Sequence, residues 1–361
     1  MGNKKKKIRV LMCCSALSVK GGMVSVMKNY LQYTKWGEFE IIYVPTHIEK
    51  AKPLLVLYFG VAWFKICMLL LLRRIDIAYL HTAERGSFFR KAFLVQTCKK
   101  FHIKTIMHHH AAEFEYFYQS LSLKKKQYVK QILENVNLNV VLSSRLVPMI
   151  LDKAPRAKVT VLYNAVKTSR ENQYSLSAKN ILFLGRLGER KGIYNLLEVL
   201  HNLDRQLPPH AKVYLCGDGE LDLVKKKIRD LSLTHRIAHV GWVDGMQKRE
   251  FMLNSAMHIL PSYQEGLPMS ILETMSYGIP NISTKIASIP EVIEDKKNGF
   301  LISPGNQKEL TKAIRELMEN PMLREEFSNQ SFRLIQEKFS LEEHMRKVKM
   351  ILHSVLNKAK I

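Results

Sequence analysis

The sequence is poor in acidic residues. It has 32 aspartates and glutamates against 56 lysines and arginines, which gives a formal net charge of +24 at pH 7. Residues 1–171 hold 29 basic and 10 acidic residues, a net charge of +19 (29 − 10), so most of the excess lies in the amino-terminal half. The basic runs are Lys4–Lys7, Arg73–Arg74, Arg90–Lys91, Lys99–Lys100 and Lys124–Lys126.

Such an excess of positive charge predicts an anionic partner. Basic faces bind nucleic-acid backbones without sequence preference, but the chain carries no recognised nucleic-acid motif. Each lysine or arginine near an anionic lipid surface contributes about 1 kcal/mol to binding. We therefore expect an anionic membrane surface and no specific nucleic acid, and a basic face that is only solvated is the remaining alternative.

Cysteine is also scarce, and its spacing fits no metal site. The five cysteines stand at positions 13, 14, 67, 98 and 216, an odd number in apolar segments. This pattern indicates reduced, buried thiols of a cytosolic protein and argues against a disulfide framework. A cleavable signal is not expected, because Lys4–Lys7 precedes an apolar run of only strand length.

Only one long hydrophobic run is present, residues 54–72, and Lys65 is its single charge. Its 19 residues nearly reach the length of about 20 that a membrane span needs. A charge at mid-helix costs about 3 kcal/mol on insertion, and a span would separate strands predicted to share one sheet. We expect a helix that packs on the sheet and dips an exposed face into lipid, complete burial being the alternative. That face is predicted around Leu57, Tyr58, Trp63, Phe64 and Leu71.

The length and the strand pattern predict an α/β protein with two domains. A chain of 361 residues exceeds the size of about 250 to 300 at which one core stops growing. Short apolar strands alternate with helical patterns, which predicts two Rossmann-like, doubly wound parallel sheets. The strands are predicted at 8–12, 40–44, 75–80, 103–107 and 138–142, then at 181–184, 212–216, 238–240 and 258–260. The polar, aperiodic stretch 164–179 is the predicted linker.

A pair of glutamates eight positions apart is the most informative motif. Gly266, Leu267 and Pro268 separate Glu265 from a predicted helix that contains Glu273. The backbone N–H groups at the start of that helix would favour a diphosphate. Glu265 would then reach the sugar beyond the phosphates, and Glu273 the ribose on the other side. The alternative is an amphipathic helix with two solvated glutamates.

Two cations follow an earlier predicted strand. Arg186 and Lys191 come just after residues 181–184, at the carboxyl edge where ligands collect in open α/β sheets. An arginine fork and a mobile lysine charge together suit the two phosphates of a leaving nucleoside diphosphate. The alternative is that these residues belong to a charged turn that is only solvated, which would have the same composition.

The order of these motifs resembles the donor half of retaining glycosyltransferase family four, also called glycosyltransferase group 1. The resemblance is strong over about 180–340 and only general over 1–175. It rests on Gly185–Arg186, Lys191–Gly192, Gly217–Asp218–Gly219, Glu265–Glu273, Gly278–Ile279–Pro280, Pro290–Glu291 and Asn298–Leu301.

The resemblance implies a glycosyltransferase-B fold with two domains facing a cleft. Residues 1–165 would form the acceptor and membrane-facing domain, and 166–339 the nucleotide-sugar donor domain. The final helix, 340–361, would cross back to the first domain. Arg186, Lys191, Gly266 and Leu267 would hold the diphosphate, and the fold and family imply no metal or other cofactor beyond the nucleotide-sugar co-substrate.

The resemblance also implies a retaining sugar transfer from a nucleotide sugar, taken to be a UDP-sugar. The acceptor would be a lipid-linked or other cell-surface glycan, and the protein would lie on the inner face of the cell membrane. Other activities of this fold, a sugar-nucleotide epimerase or a phosphorylase, are alternatives. A non-catalytic protein that binds nucleic acid or membrane would explain the charge but not the ordered donor motif.

The acceptor side is predicted from two features of the first half. Gly21–Gly22 follows the first strand, and the family's glycine loop lies at this point, so Gly22 is expected near donor phosphate and acceptor. The family places one histidine near the transferred sugar, and position assigns that role to His110, with His109 as its competitor. Metal binding by His108, His109 and His110 is not expected, because neighbours on a strand face opposite ways.

Overall fold

The computed structural model of the protein describes residues 7–357. It divides into two compact units, residues 7–164 with 341–357, and Ala165–Ser340. These limits lie within one residue of the predicted domain boundaries. Lys4–Lys6 of the first basic run lie outside the described residues.

The first unit is built on a parallel sheet of six strands in the order β2-β1-β3-β4-β5-β6. The strands are β1 (Ile8–Cys14), β2 (Phe39–Pro45), β3 (Ile77–Thr82), β4 (Lys104–His109), β5 (Leu138–Val141) and β6 (Val159–Val161). The helices are α1 (Gly22–Gln32), α2 (Lys52–Leu71), α3 (Gly86–Lys100), α4 (Phe114–Gln119), α5 (Leu123–Asn135), α6 (Val147–Leu151) and, from the end of the chain, α13 (Leu341–Asn357).

Buried apolar strands explain this sheet. All six residues of β3 are buried, as expected of a central strand of a parallel sheet covered by helices. The final helix belongs to this unit through buried contacts: the Nε2 atom of His344 lies 2.7 Å from the Tyr30 hydroxyl oxygen, and its Nδ1 atom 2.7 Å from the Tyr163 carbonyl oxygen.

The second unit is also a six-stranded parallel sheet, in the order β12-β11-β10-β7-β8-β9. Its strands are β7 (Asn180–Leu184), β8 (Val213–Cys216), β9 (Ile237–Gly241), β10 (Ser255–Leu260), β11 (Asn281–Thr284) and β12 (Gly299–Ile302). Its helices are α7 (Ile193–Leu203), α8 (Leu221–Asp230), α9 (Gly245–Leu253), α10 (Met269–Ser276), α11 (Gln307–Glu319) and α12 (Pro321–Lys338).

The predicted fold class is confirmed: each unit is a Rossmann-like parallel sheet with helices, as in the glycosyltransferase-B fold. The nine predicted strands are present, and three short ones, β6, β11 and β12, were not predicted.

The predicted linker at 164–179 contains the boundary between the units, which follows Asn164, and much of the rest of the stretch bonds to the second unit. The Tyr174 hydroxyl donates to the Ala256 carbonyl oxygen at 2.9 Å, and the Asn172 side-chain amide donates to Ser328 Oγ at the same distance. These two bonds hold that part of the stretch against the rest of the second unit.

Candidate functional site

The strand order of the second unit places its site between β7 and β10. If the six strands of this unit are renumbered 1 to 6 along the chain, their order in the sheet is 6-5-4-1-2-3. Strands β7 and β10 are neighbours in the sheet, and the connections that follow them run toward opposite edges. Loops at the carboxyl ends of two such strands diverge and leave a crevice, the usual ligand position in doubly wound sheets. Arg186 and Lys191 follow β7, and Glu265 follows β10. The fold therefore brings both predicted cations and the first predicted carboxylate to one edge.

Gly192 allows the two loops to touch. Its φ is +72°, a conformation that glycine adopts without strain, and a Cβ atom there would lie 2.1 Å from the carbonyl oxygen of Pro261. The loops are also joined where the backbone N–H of Tyr263 donates to the Arg190 carbonyl oxygen at 2.9 Å. This contact fixes Lys191, the neighbour of Gly192, beside the loop that carries Glu265.

Lys191 and Glu265 form an ion pair between the Nζ and Oε1 atoms. The pair is largely buried, with 14% of the lysine side chain and 5% of the glutamate side chain exposed. Ser262 Oγ donates to the same Oε1 atom at 2.8 Å. Two donors on one oxygen fix the orientation of the carboxylate, and Oε2 is the oxygen left to accept from a ligand hydroxyl.

Arg186 stands at the same edge but is exposed to solvent. Its loop is fixed by the turn that follows β8: the Leu187 N–H donates to the Asp218 carbonyl oxygen at 2.6 Å, and the Glu220 N–H donates back to the Leu187 carbonyl oxygen at 2.7 Å. Gly219 permits this approach, because a Cβ atom there would lie 2.2 Å from the Leu187 carbonyl oxygen. The arginine thus projects from a fixed backbone with a solvated side chain that can turn toward an anion.

Helix α10 begins at Met269, after the Glu265 loop. Pro268 is the N-cap residue of the helix and has an extended conformation. No side chain caps this end of the helix, which leaves its positive pole to a ligand or water. Gly266 and Leu267 are buried just before it, so any contact they make with a ligand is through the backbone.

Glu273 lies in α10 and is half-buried. Its Oε2 atom pairs with Lys248 Nζ of α9 at 3.0 Å. Lys248 was missed, because no motif marks a lysine on a separate helix, and only the fold brings it to Glu273. A hydroxyl that bonds to Glu273 would meet a carboxylate already held in place.

His110 and Gly22 belong to the first unit. His110 directly follows β4 and is half-buried, and its Nε2 atom lies 2.9 Å from the Nδ1 atom of His81. His109 points elsewhere: it is 1% exposed, and its Nε2 atom lies 3.0 Å from Asn139 Oδ1. Of the two histidines, His110 is therefore the one that a ligand could reach. Burial lowers the pKa of His110 to about 3, so its imidazole is neutral at pH 7.

Three histidines of the first unit lie close together, although neighbours on a strand face opposite ways. His108 and His110 share a strand face, and His81 joins them from β3, so that one ligand nitrogen from each lies within 4.8 Å of the others. Sequence reasoning missed His81, which neighbours this run only across the sheet. The His81–His110 hydrogen bond already uses one nitrogen of each ring, and we interpret the group as a hydrogen-bonded cluster.

Gly22 is the first residue of α1, after the N-cap residue Gly21 with a φ of +136°. Both glycines are exposed, and no side chain caps the helix. An exposed helix N-terminus of this kind is compatible with a backbone contact to an anion, and the role of Gly22 stays a prediction.

Comparison with known proteins finds a family match within the second unit. Residues 167–333 match the family described as glycosyl transferases group 1. A Klebsiella pneumoniae protein described as an uncharacterized 41.2 kDa protein in the cps region is 26% identical over 245 residues, 64% of this chain and 66% of that protein. The lipopolysaccharide core biosynthesis glycosyltransferase LpsE of Rhizobium meliloti is 28% identical over 163 residues, 45% of this chain and 46% of that protein.

The structure resembles Anabaena HepE, solved in complex with UDP and glucose, with a TM-score of 0.75 and 16% sequence identity over 96% of this chain and 100% of that chain. At this identity the likeness concerns the fold alone. The chain spans less than two thirds of the length of the two curated relatives. The family match contains Arg186, Lys191, Glu265 and Glu273, the residues that the β7–β10 crevice and helix α10 carry. Residues 167–333 therefore form a glycosyl transferases group 1 domain.

Proposed function

We propose that the protein is a retaining glycosyltransferase that moves a sugar from a nucleotide sugar, taken to be a UDP-sugar, to a lipid-linked or other cell-surface glycan. The observation that carries this proposal is the arrangement at the β7–β10 crevice. A solvated arginine, a buried lysine–glutamate pair and an uncapped helix terminus meet at the edge where ligands bind in this fold.

The two cations have different tasks in this proposal. Arg186 is exposed and can turn its planar fork onto two phosphate oxygens of the donor. Lys191 is held by Glu265, so its charge is fixed in position and partly balanced before the donor binds. When the sugar–phosphate bond breaks, negative charge grows on the diphosphate, and fixed cations stabilise it without reorganising. The positive pole of α10 adds to the same field.

Glu265 orients the sugar in this proposal. Its Oε1 atom already receives the Lys191 ammonium and the Ser262 hydroxyl, so Oε2 accepts from a sugar hydroxyl. Glu273, with Lys248 on one oxygen, accepts from the ribose. In the first unit, the family resemblance assigns contact with the transferred sugar to His110, whose imidazole is neutral, and a backbone contact to Gly22 at the start of α1.

Retention follows by attack on the same face of the sugar, in which the departing phosphate takes the proton of the acceptor hydroxyl. A double displacement through two carboxylates would need a pair about 5 Å apart across the anomeric carbon. Glu265 is committed to Lys191 and Ser262, and Glu273 to Lys248, so we assign neither as a covalent nucleophile. The proposal uses no divalent metal, because the cations and the helix terminus supply the positive charge.

The names of the relatives support a cell-surface glycan as acceptor. The description of the Klebsiella pneumoniae relative names a cps region, and that of the Rhizobium meliloti relative names lipopolysaccharide core biosynthesis. A glycan assembled on a lipid carrier also agrees with the net charge of +24.

A donor screen tests the proposal. The purified protein is incubated with UDP-, GDP- and ADP-sugars, with and without a membrane extract, and the nucleotide released is measured. We expect release of a nucleoside diphosphate from one donor class and stimulation by the extract. Sugar 1-phosphate formed from the glycan of the extract and added inorganic phosphate, without consumption of a nucleotide sugar, would indicate a phosphorylase. Interconversion of sugars on the intact nucleotide would indicate an epimerase, and no consumption of any donor would contradict the proposal.

A further inference from the structure

Helix α2 carries an apolar face that the rest of the first unit leaves uncovered. It is 20 residues long and almost wholly apolar, and only 17% of its apolar stretch is buried. Its buried residues are Ala62, Ile66 and Leu70, which pack on the core. The opposite side, here called the α2 face, consists of Leu54, Leu57, Val61, Phe64, Met68 and Leu71, each between 42% and 65% exposed.

Aromatic side chains of α2 and α3 extend the α2 face. The rings of Trp63 and Phe93 lie 5.5 Å apart, centroid to centroid, and both side chains are partly exposed. The Trp63 indole N–H donates to Thr97 Oγ1 at 3.2 Å, which ties α2 to α3. The patch is therefore a fixed surface, larger than the scattered apolar residues of an ordinary soluble surface.

The helix does not span a membrane in this fold. Among residues 7–357 it is the one helix long and apolar enough to do so by length and composition. It connects β2 to β3, and both strands pair in parallel with β1, one on each side. A span would place β2 and β3 on opposite sides of the bilayer, so α2 can meet lipid only along its side.

A second copy of the chain fits the α2 face less well than lipid does. The six residues follow the alternating spacing of three and four that coiled coils use. Coiled coils also need complementary charges beside this seam, and the flanking positions here are Tyr58, Lys65 and Leu72 on one side. If the α2 helices of two copies paired symmetrically, parallel or antiparallel, Lys65 would have no acidic partner, because α2 itself contains no acidic residue.

The charge around the α2 face matches an anionic surface. Residues 51–104 contain ten lysines and arginines, of which Lys91 is buried, and two acidic residues. One of the acidic residues, Asp76, is paired with Arg9. Exposed Lys52 and Lys65 lie on the helix, and exposed Arg73 and Arg74 follow its carboxyl end. Basic residues beside an apolar helix face are the pattern of helices that lie in the interface of anionic bilayers.

We propose that α2 lies in the plane of an anionic lipid bilayer, with the α2 face in the acyl-chain boundary and its neighbouring basic residues at the headgroups. This makes the protein peripheral on the inner face of the cell membrane and deepens the proposed function, since it places the acceptor side at a lipid-linked glycan. The burial of the α2 face is not screened by salt, whereas attraction of the basic residues is screened over about 8 Å at physiological ionic strength. Binding should therefore have a salt-sensitive and a salt-resistant part.

Vesicle co-sedimentation of the full chain tests this. Phosphatidylcholine vesicles with and without 30% phosphatidylglycerol, roughly the anionic fraction needed for a strong surface potential, are compared across a salt series. We expect strong binding to the anionic vesicles, weak binding to neutral ones, and a fraction that persists at high salt. The double variant Leu57→Glu/Phe64→Glu should bind at least about tenfold more weakly at high salt. Lys65→Gln/Arg73→Gln/Arg74→Gln should lose mainly the salt-sensitive part.

The matched control is Met246→Glu/Met322→Glu, which places two glutamates at exposed apolar positions of the second unit, 83% and 82% exposed. It should bind vesicles as the wild type does. All variants should keep the wild-type melting temperature and hydrolyse soluble donor at the wild-type rate, so failure of this inference is separable from failure of the proposed function. Unchanged vesicle binding by Leu57→Glu/Phe64→Glu would overturn the inference. A dimer in light scattering that this variant dissociates, without vesicle binding by the wild type, would assign the face to a second copy.

Discussion

The Lys191–Glu265 pair gives a prediction that separates stability from catalysis. Both side chains are largely buried, so removing one charge leaves the other desolvated and unpaired, at a cost of about 3 to 5 kcal/mol. For Lys191→Met we expect a loss of about 3 kcal/mol, because Ser262 still donates to the glutamate. For Glu265→Gln we expect about 2 kcal/mol, because the amide oxygen still accepts and the lysine is the more exposed partner.

The double variant Lys191→Met/Glu265→Gln should be more stable than the sum of the two single losses predicts. With both charges removed, we expect a loss of about 2 kcal/mol instead of about 5, a coupling of about 3 kcal/mol. All three variants should lose sugar transfer, since each lacks the fixed cation or the sugar-orienting carboxylate.

The assay must report on the second unit, because two units can unfold separately. Hydrogen–deuterium exchange of peptides that contain β7 and β10, in a urea series, measures its free energy of opening directly. If the stability losses of the two single variants add up to the loss of the double variant within about 0.5 kcal/mol, the expected coupling is absent and the reasoning is refuted, because independent sites behave in that way. If the losses are additive and the single variants also keep sugar transfer, the Lys191–Glu265 pair is not part of the site.

Three further predictions follow from the described residues. Arg186→Ala should lower kcat/KM for the donor by about a hundredfold to a thousandfold, with unfolding free energy unchanged because the side chain is exposed, whereas Arg229→Ala on the exposed surface of α8 should change neither. Donor turnover should persist in excess chelator, and its loss with recovery on Mg²⁺ or Mn²⁺ would contradict the proposed cationic site. Burial lowers the pKa of His109 to about 4, so the unfolded state binds protons first on acidification, and stability should fall as the pH drops from about 6.5 toward 4. His109→Gln should make that decline less steep in urea unfolding measured across pH, but should not remove it, because burial also lowers the pKa of His81, His108, His110 and His344. An unchanged slope would show that His109 does not contribute.

Local patterns predicted most of the fold, and tertiary contacts explain what they missed. Strands such as β1 and β3 were visible because most of their residues are apolar or β-forming. Strand β11, Asn281–Thr284, was missed because it is polar in three of its four residues, and the fold buries them through bonds such as the one from Thr284 Oγ1 to the Ser262 carbonyl oxygen.

The same limit applies to the site. The family-spaced motif predicted Arg186, Lys191 and Glu265, and the β7–β10 strand order explains why they meet. No sequence spacing indicates that Lys191 would pair with Glu265, 74 positions away, because that contact depends on the close approach of Gly192 to Pro261. Lys248 and His81 were missed for the same reason, since each reaches its partner across separate elements.

The most direct test of the account is the stereochemistry of the transferred sugar. The purified protein is incubated with the donor that the screen selects and with lipid-linked acceptor from a membrane extract, and the anomeric proton of the product is followed by NMR together with nucleotide release. The account predicts one nucleoside diphosphate released per sugar transferred, a product with the anomeric configuration of the donor, and loss of both signals in Arg186→Ala. An inverted anomer, or full transfer by Arg186→Ala, would contradict it.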